Sequence, residues 1–115
     1  MKDKTVQEKS KKFAIRIIGL YKHLTDISSE KVLAKQILRS GTSIGANVAE
    51  SDYAVSKADF ICKTQIALKE AAETRYWFEL LFETKYITKE QFESLLLDCE
   101  EIIKILTSIL NTSKT

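Results

Sequence analysis

No proline interrupts this chain, and only three glycines, Gly19, Gly41 and Gly45, occur in its 115 residues. A β-rich domain reverses direction often and draws heavily on such residues to do so. A chain this poor in them has to be built from long elements joined by few turns, and helix is the natural element. The apolar pattern agrees. Phe92, Leu95, Leu96, Cys99, Ile102, Ile103, Leu106, Ile109 and Leu110 recur at spacings of three and four, the period of a helix that buries one face.

The same period predicts helices over about residues 5–24, 29–53, 57–84 and 89–111. In the first, Val6, Phe13, Ile17, Leu20 and Leu24 form the stripe; in the second, Leu33, Ile37, Gly41, Ile44 and Val48 do. The hydroxyls of the 25–29 connection can cap helix two, with Glu30 in its first turn. Ser56-Lys57-Ala58-Asp59 and Thr88-Lys89-Glu90-Gln91 have the form of capping boxes. A glycine inside a helix costs about 1 kcal/mol relative to alanine, so Gly41 and Gly45 need a reason. With Ala34 and Ala49 they form a small-residue seam, which either admits a neighbouring backbone or marks a break near Gly41. Four long helices with short links give an all-α, antiparallel up-down-up-down four-helix bundle, a single domain over residues 1–115.

Helix three is apolar on more sides than a bundle core needs. Phe60, Ala67, Ala71, Phe78 and Phe82 fall on one side, while Cys62, Ile66, Trp77 and Leu80 fall roughly opposite. A helix that is apolar nearly all round is buried all round, so a second interface is expected, made by self-association through Ile66, Trp77 and Leu80. Arg75 and Glu79, four residues apart, are a partly buried pair, contacts to another subunit, or an exposed pair worth a few tenths of a kcal/mol. On helix two, Arg39, Ser43, Asn47 and Glu50, with Gln36, make one polar stripe. It reads as a groove for a ligand or partner, as a solvated face, or as a network that fixes helix register.

The chemistry of catalysis is thin. His23 is the lone histidine and has no nucleophile or acid at motif spacing; near a helix C-terminus it complements the dipole. Cys62 and Cys99 fit neither a disulfide framework nor a metal cluster and read as small core or interface residues. Gly41-Thr42-Ser43-Ile44-Gly45 lacks the lysine of a phosphate-binding loop, and Glu70-Ala71-Ala72-Glu73 lacks the histidine of a di-metal bundle site. The expectation is a protein without catalytic, cofactor or metal sites. No apolar run is long enough to span a bilayer, and the charged Met1-Lys2-Asp3-Lys4 start has no apolar signal core. A cytoplasmic location without membrane partners is therefore expected.

Net charge is only +2, but it is unevenly spread. Residues 1–25 carry seven Lys or Arg against two acids, a net +5, while residues 88–115 carry three against five, a net −2. Lys9, Lys12 and Arg16 share one face of helix one, with Lys4, Lys11 and Lys22 adjacent. Repeated around an oligomer, such a stripe would attract nucleic acid by charge; alternatively it is a solvated lysine face. Pairing of the basic first helix with the acidic fourth helix of a neighbouring subunit would make the asymmetry structural.

The string Gln36-Ile37-Leu38-Arg39-Ser40-Gly41-Thr42-Ser43-Ile44-Gly45-Ala46-Asn47-Val48-Ala49-Glu50 resembles the signature of bacterial four-helix bundle proteins first noticed in intervening sequences of large-subunit ribosomal RNA genes. Asp59-Phe60, Ala67-Leu68-Lys69-Glu70-Ala71, Glu73-Thr74-Arg75-Tyr76-Trp77 and Tyr86-Ile87-Thr88 extend the resemblance through helices three and four. It implies a homo-oligomeric ring, typically a pentamer. It also implies kinship with retroelement accessory proteins, which bind nucleic acid and a reverse transcriptase. Where the family commonly has Glu-Gly followed by basic residues, this chain has Glu50-Ser51-Asp52-Tyr53 and, apart from Lys57, little positive charge. Two functions follow as expectations. One is a non-enzymatic oligomeric scaffold with itself or an unidentified protein as partner. The other is charge-driven RNA or DNA binding through Lys9, Lys12, Arg16 and Lys22, in the manner of an accessory to a ribonucleoprotein or reverse transcriptase.

Overall fold

The computed structural model describes residues 3–113. Four helices follow one another, α1 (Thr5–Ile27), α2 (Val32–Ser51), α3 (Lys57–Glu83) and α4 (Lys89–Ser113), with no strand among the described residues. The body measures 45 × 22 × 21 Å, about the length of a single helix of this size at 1.5 Å per residue. α1 packs on α2, α2 on α3, α3 on α4, and α4 returns more loosely to α1. Between α1 and α2, Gln7 meets Asp52 and Ile17 lies against Gly41. Between α2 and α3, Arg39 meets Glu70 and Glu50 meets Lys63. In each case partner numbers fall on one helix as they rise on the next.

Local chemistry sets the ends. α1 runs on to Ile27, past the connection expected from Thr25, because Thr25 and Ser28 turn their hydroxyls back to the carbonyls of Tyr21 and Leu24 and continue the turn. Ser29 then takes a left-handed conformation, φ 57°. It therefore cannot open α2, which starts at Val32 with the Glu30 carboxylate accepting from Leu33 N–H at 2.6 Å. Ser56 caps α3 by accepting from Asp59 N–H at 3.0 Å, while the Asp59 carboxylate accepts from Val55 N–H at 3.1 Å, one residue earlier than a full box requires. At α4 the box is complete: Thr88 Oγ1 accepts from Gln91 N–H at 3.1 Å and Gln91 Oε1 from Thr88 N–H at 2.8 Å. α3 ends in a Schellman turn, with Lys85 at φ 69° and the Tyr86 and Lys85 N–H groups donating to Leu81 and Phe82 carbonyls.

The core is one cluster that includes Phe13, Ile17, Leu24, Ile37, Ile44, Phe78, Leu81, Ile102 and Leu106. Phe13 and Phe78 meet edge to face at 6.2 Å, and Phe82 stacks on Phe92 at 4.7 Å beside the α3–α4 turn. α2 passes unbroken through both glycines. A methyl group at Gly41 would come within 2.7 Å of the Ile17 side chain, and one at Gly45 within 3.2 Å of the Ser10 carbonyl oxygen. Close approach of α1 is therefore the reason for the glycines. α3 is not buried all round in one copy: Trp77 and Leu80 are half-buried, and Cys62, Ile66 and Tyr76 are exposed. Its inner face instead takes in Thr64, Glu70 and Thr74. Thr74 Oγ1 reaches both Ser40 Oγ and the Glu70 carbonyl at 2.8 Å.

Burial pushes the Cys99 thiol from its ordinary 9.0 up to about 12, against a smaller opposing pull from Arg75. The protonated thiol donates to the Ala71 carbonyl at 3.3 Å. Above about pH 9 the unfolded chain releases this proton while the folded chain keeps it, so stability falls as pH rises, by up to about 1.4 kcal/mol per unit. Urea unfolding across that range is expected to show a smaller loss for Cys99→Ala than for wild type; equal slopes would show that the thiol is not held protonated. A second expectation concerns the glycines. Gly41→Ala forces Ile17 aside and should destabilise by about 1–3 kcal/mol despite its better helix propensity. Gly19→Ala meets nothing within 4 Å and should stabilise by up to about 1 kcal/mol. Thermal unfolding of the two variants checks the opposite signs.

Candidate functional site

The looser seam between α1 and α4 carries Lys9, Lys12 and Arg16, the basic stripe that the sequence singled out. On α1, Lys9 and Arg16 lie two turns apart; on α4, Ser94, Asp98 and Glu101 face them. Arg16 donates to Asp98 Oδ2 at 2.8 Å and to Ser94 Oγ at 2.7 Å, and Lys9 pairs with Glu101. The Glu101 carboxylate, as hydrogen-bond acceptor and as opposite charge, holds the Lys9 ammonium above the usual lysine range. With Lys12, Phe13 and Ile102, the side chains of Lys9, Arg16, Asp98 and Glu101 line a cleft of about 260 Å³. Lys12 and Lys22 are exposed and have no ion pair among the described residues. The basic first helix thus meets the acidic fourth within the same chain. Ser94, Asp98 and Glu101, at i, i+4, i+7 spacing on α4, were the available signal for it.

The polar stripe of α2 is also engaged within the chain. Arg39 bridges α2 to α3, donating to Glu70 Oε2 at 2.9 Å and to Glu73, and it shares Gln36 Oε1 at 3.3 Å. Glu73 in turn accepts from the Trp77 indole N–H at 3.1 Å. Ser43 donates to the Arg39 carbonyl and Asn47 to the Ser43 carbonyl. Glu50 pairs with Lys63 at 3.1 Å, and that carboxylate raises the Lys63 pKa above its ordinary value. At Arg39 and Glu50 the stripe ties α2 to α3, while Ser43 and Asn47 bond back to carbonyls of α2 itself. Lys63, its donor on α3, was not picked out from sequence, and Glu70, its acceptor, was weighed there only as a metal ligand; they lie on one side of that helix, seven residues apart.

Of the remaining candidates, Ile66 and Glu79 are exposed, and Trp77, Leu80 and Arg75 are half-buried. Arg75 and Glu79 form no ion pair with each other among the described residues. Arg75 instead lies close enough to the Cys99 thiol for its charge to act there, as does Glu100. Sequence reading missed a further surface. Between α1 and α2 runs a groove of about 300 Å³ lined by Lys11, Ala14, Thr42, Gly45, Ala46 and Ala49, among others. Exposed Ile15 and Ile18 stand on α1 nearby. No group of three or more His, Cys, Asp or Glu among the described residues is placed to hold a metal ion. No described helix is long and apolar enough to cross a membrane.

Comparison with known proteins agrees with the string at residues 36–50. The family model for the 23S rRNA-intervening sequence protein matches residues 2–108. The chain is 58% identical to a Bacteroides thetaiotaomicron protein of the S23 ribosomal protein family, of unknown function, whose crystal structure superposes with a TM-score of 0.94. That match covers 96% of this chain and 99% of the other. Among curated proteins no match was found. A family match over nearly the whole chain, on a fold of four helices, makes this protein a member of the 23S rRNA-intervening sequence protein family.

Proposed function

We propose that this protein is a non-enzymatic, homo-oligomeric interaction module, built as an antiparallel up-down-up-down bundle and closing into a ring. The opposed numbering of partners across each helix pair supports the bundle. The observation that carries the oligomer is apolar surface left open on two helices, α1 and α3, that meet only through core side chains such as Phe13 and Phe78. Ile15 and Ile18 of α1 are 63% and 41% exposed; Ile66 and Tyr76 of α3 are 36% and 53% exposed. Single exposed apolar residues are ordinary, but exposed apolar side chains on two helices at separate corners of a bundle fit contacts to two neighbours. Two different patches make a head-to-tail contact, and head-to-tail contacts generate rings when the rotation closes. A ring of five is what the family resemblance implies. The partner is first of all a second copy; a cytoplasmic setting belongs to the same reading.

Nucleic-acid binding stands second because two of its strongest residues, Lys9 and Arg16, are already neutralised by α4. What favours it is the remaining set, Lys4, Lys11, Lys12 and Lys22, exposed on α1 or at its start without ion pairs among the described residues. Nothing in this set reads bases, so binding would follow charge and shape.

Native mass spectrometry and sedimentation should find an oligomer at micromolar concentration; a monomer would remove the scaffold reading. Trp77→Ala, which opens α3 beside Ile66 and Leu80, should weaken that oligomer, and an unchanged assembly would assign Trp77 to the bundle alone. For the second reading, affinity for a structured RNA and a DNA duplex is measured across a salt series. Lys12→Gln with Lys22→Gln leaves the α1–α4 ion pairs intact. It should flatten the salt slope by about one for each phosphate that is no longer neutralised. No binding at low salt would remove that reading.

A further inference from the structure

At the end of the body where α1 begins and α4 finishes, the helices leave a cavity of about 460 Å³. That is within the range of about 300–1,000 Å³ in which small-molecule sites fall. Val6 of α1, Phe60 of α3, and Ile105 and Ile109 of α4 give it an apolar lining. Such a lining can cover a small aliphatic or aromatic group, and the polar groups around it then decide what that group is attached to.

Those polar groups are sorted by sign. The carboxylates are Asp3, just before α1, and Asp52, at the end of α2; the cation is Lys104, on α4. Hydrogen bonds from the Thr5 hydroxyl and N–H hold Asp3 in its charged form. Lys104 forms no ion pair with either carboxylate among the described residues. Both signs of charge therefore line one cavity without neutralising each other. Gln7 adds an acceptor that lacks a donor. Asp52 Oδ1 accepts from Gln7 Nε2 at 3.1 Å, and a carboxylate can only accept, so the amide has to turn its nitrogen to Asp52. Its oxygen is thereby committed to the buried side, where nothing among the described residues donates to it. An acceptor left in that state is costly. Gln7 as a whole is only partly buried, so a small tilt of its amide presents the oxygen to the cavity.

We infer that this end cavity is a binding site for a free apolar amino acid, held as its zwitterion. The ammonium group, with three donors and no acceptor, meets Asp52, Asp3 and the Gln7 oxygen. The carboxylate meets Lys104 and the Ser108 hydroxyl on α4. The side chain covers Val6, Phe60, Ile105 and Ile109. A ligand with only a positive charge would leave Lys104 facing a like charge, and one with only a negative charge would do the same to Asp3 and Asp52. A zwitterion leaves neither sign unpaired. The site lies within one copy, at its end, so it stands apart from the oligomeric reading.

Calorimetric titration of the full chain with L-phenylalanine and L-leucine tests this. L-Phenylalaninamide and N-acetyl-L-phenylalanine serve as probes that each lack one of the two charges. The free amino acid should bind, and each blocked probe should bind at least about tenfold more weakly, the worth of one hydrogen bond to a charged group. Lys104→Gln should weaken L-phenylalanine by about tenfold and leave L-phenylalaninamide unchanged, a split that misfolding could not produce. Ser108→Trp, at an exposed position, should fill the cavity and abolish binding while the thermal melt is retained. Absence of binding by both amino acids at millimolar concentration would overturn the inference. Undiminished binding to Ser108→Trp would place the ligand elsewhere and overturn it too. L-Phenylalaninamide binding as tightly as L-phenylalanine would show a site for a peptide amino terminus and reject the zwitterion.

Discussion

The contact on which the arrangement turns is the close approach of α1 to α2 at two glycines. Ile17 occupies the space a side chain at Gly41 would need, and the Ser10 carbonyl lies over Gly45. Ile17 is fully buried, and so are its core neighbours Ile37 and Ile44. Burying one such side chain contributes about 1.5–3 kcal/mol, more than the cost of one helical glycine. A core held this way draws α1 toward α2, and the other side of α1 is correspondingly open. There the gap to α4 is bridged by long side chains, Lys9 and Arg16, reaching Glu101, Asp98 and Ser94 above a cleft. These ion pairs are half exposed, so water screens them and they add little to stability. They follow from the position of α1 and do not determine it.

Much of this was legible in the sequence because helix formation and core packing are periodic. The α4 stripe from Phe92 to Leu110 and the capping residues Ser56 and Thr88 follow rules that act within a few residues. Less legible was anything decided between helices. Glu70 and Thr74 lie on the inner face of α3 because Arg39 and Ser40 of α2 satisfy them, and no spacing within α3 announces a partner thirty residues away. The α1–α2 link failed for a local reason of a different kind. A left-handed residue at Ser29, with no glycine to mark it, delays α2 to Val32. As to the candidate residues, the polar stripe and the basic stripe were both visible as stripes. Which of their members were already paired within the chain depended on helix order, which periodicity does not encode.

Helix order also decides how much of the charge asymmetry is available to a partner. In the linear chain the first helix is strongly basic and the last mildly acidic, which reads as two opposed fields. Once α4 closes on α1, two of the cations and two of the acids cancel locally at short range. Uncancelled charge remains on Lys12 at that cleft and on Lys11 beside the α1–α2 groove. Folding converts a difference between the ends of the sequence into a difference between the sides of the body.

That conversion bears on why a bundle would leave Ile15, Ile18, Ile66 and Tyr76 in the open. A monomer gains nothing from them, and their exposure invites aggregation through any apolar surface. Lys11 and Lys22, each four residues from Ile15 or Ile18 on α1, restrict that attraction. Small residues set the depth of the groove between α1 and α2. The glycines that draw α1 into α2 are therefore linked to the outside of the molecule as well as to its core, because the seam they close on the inner side forms the groove on the outer.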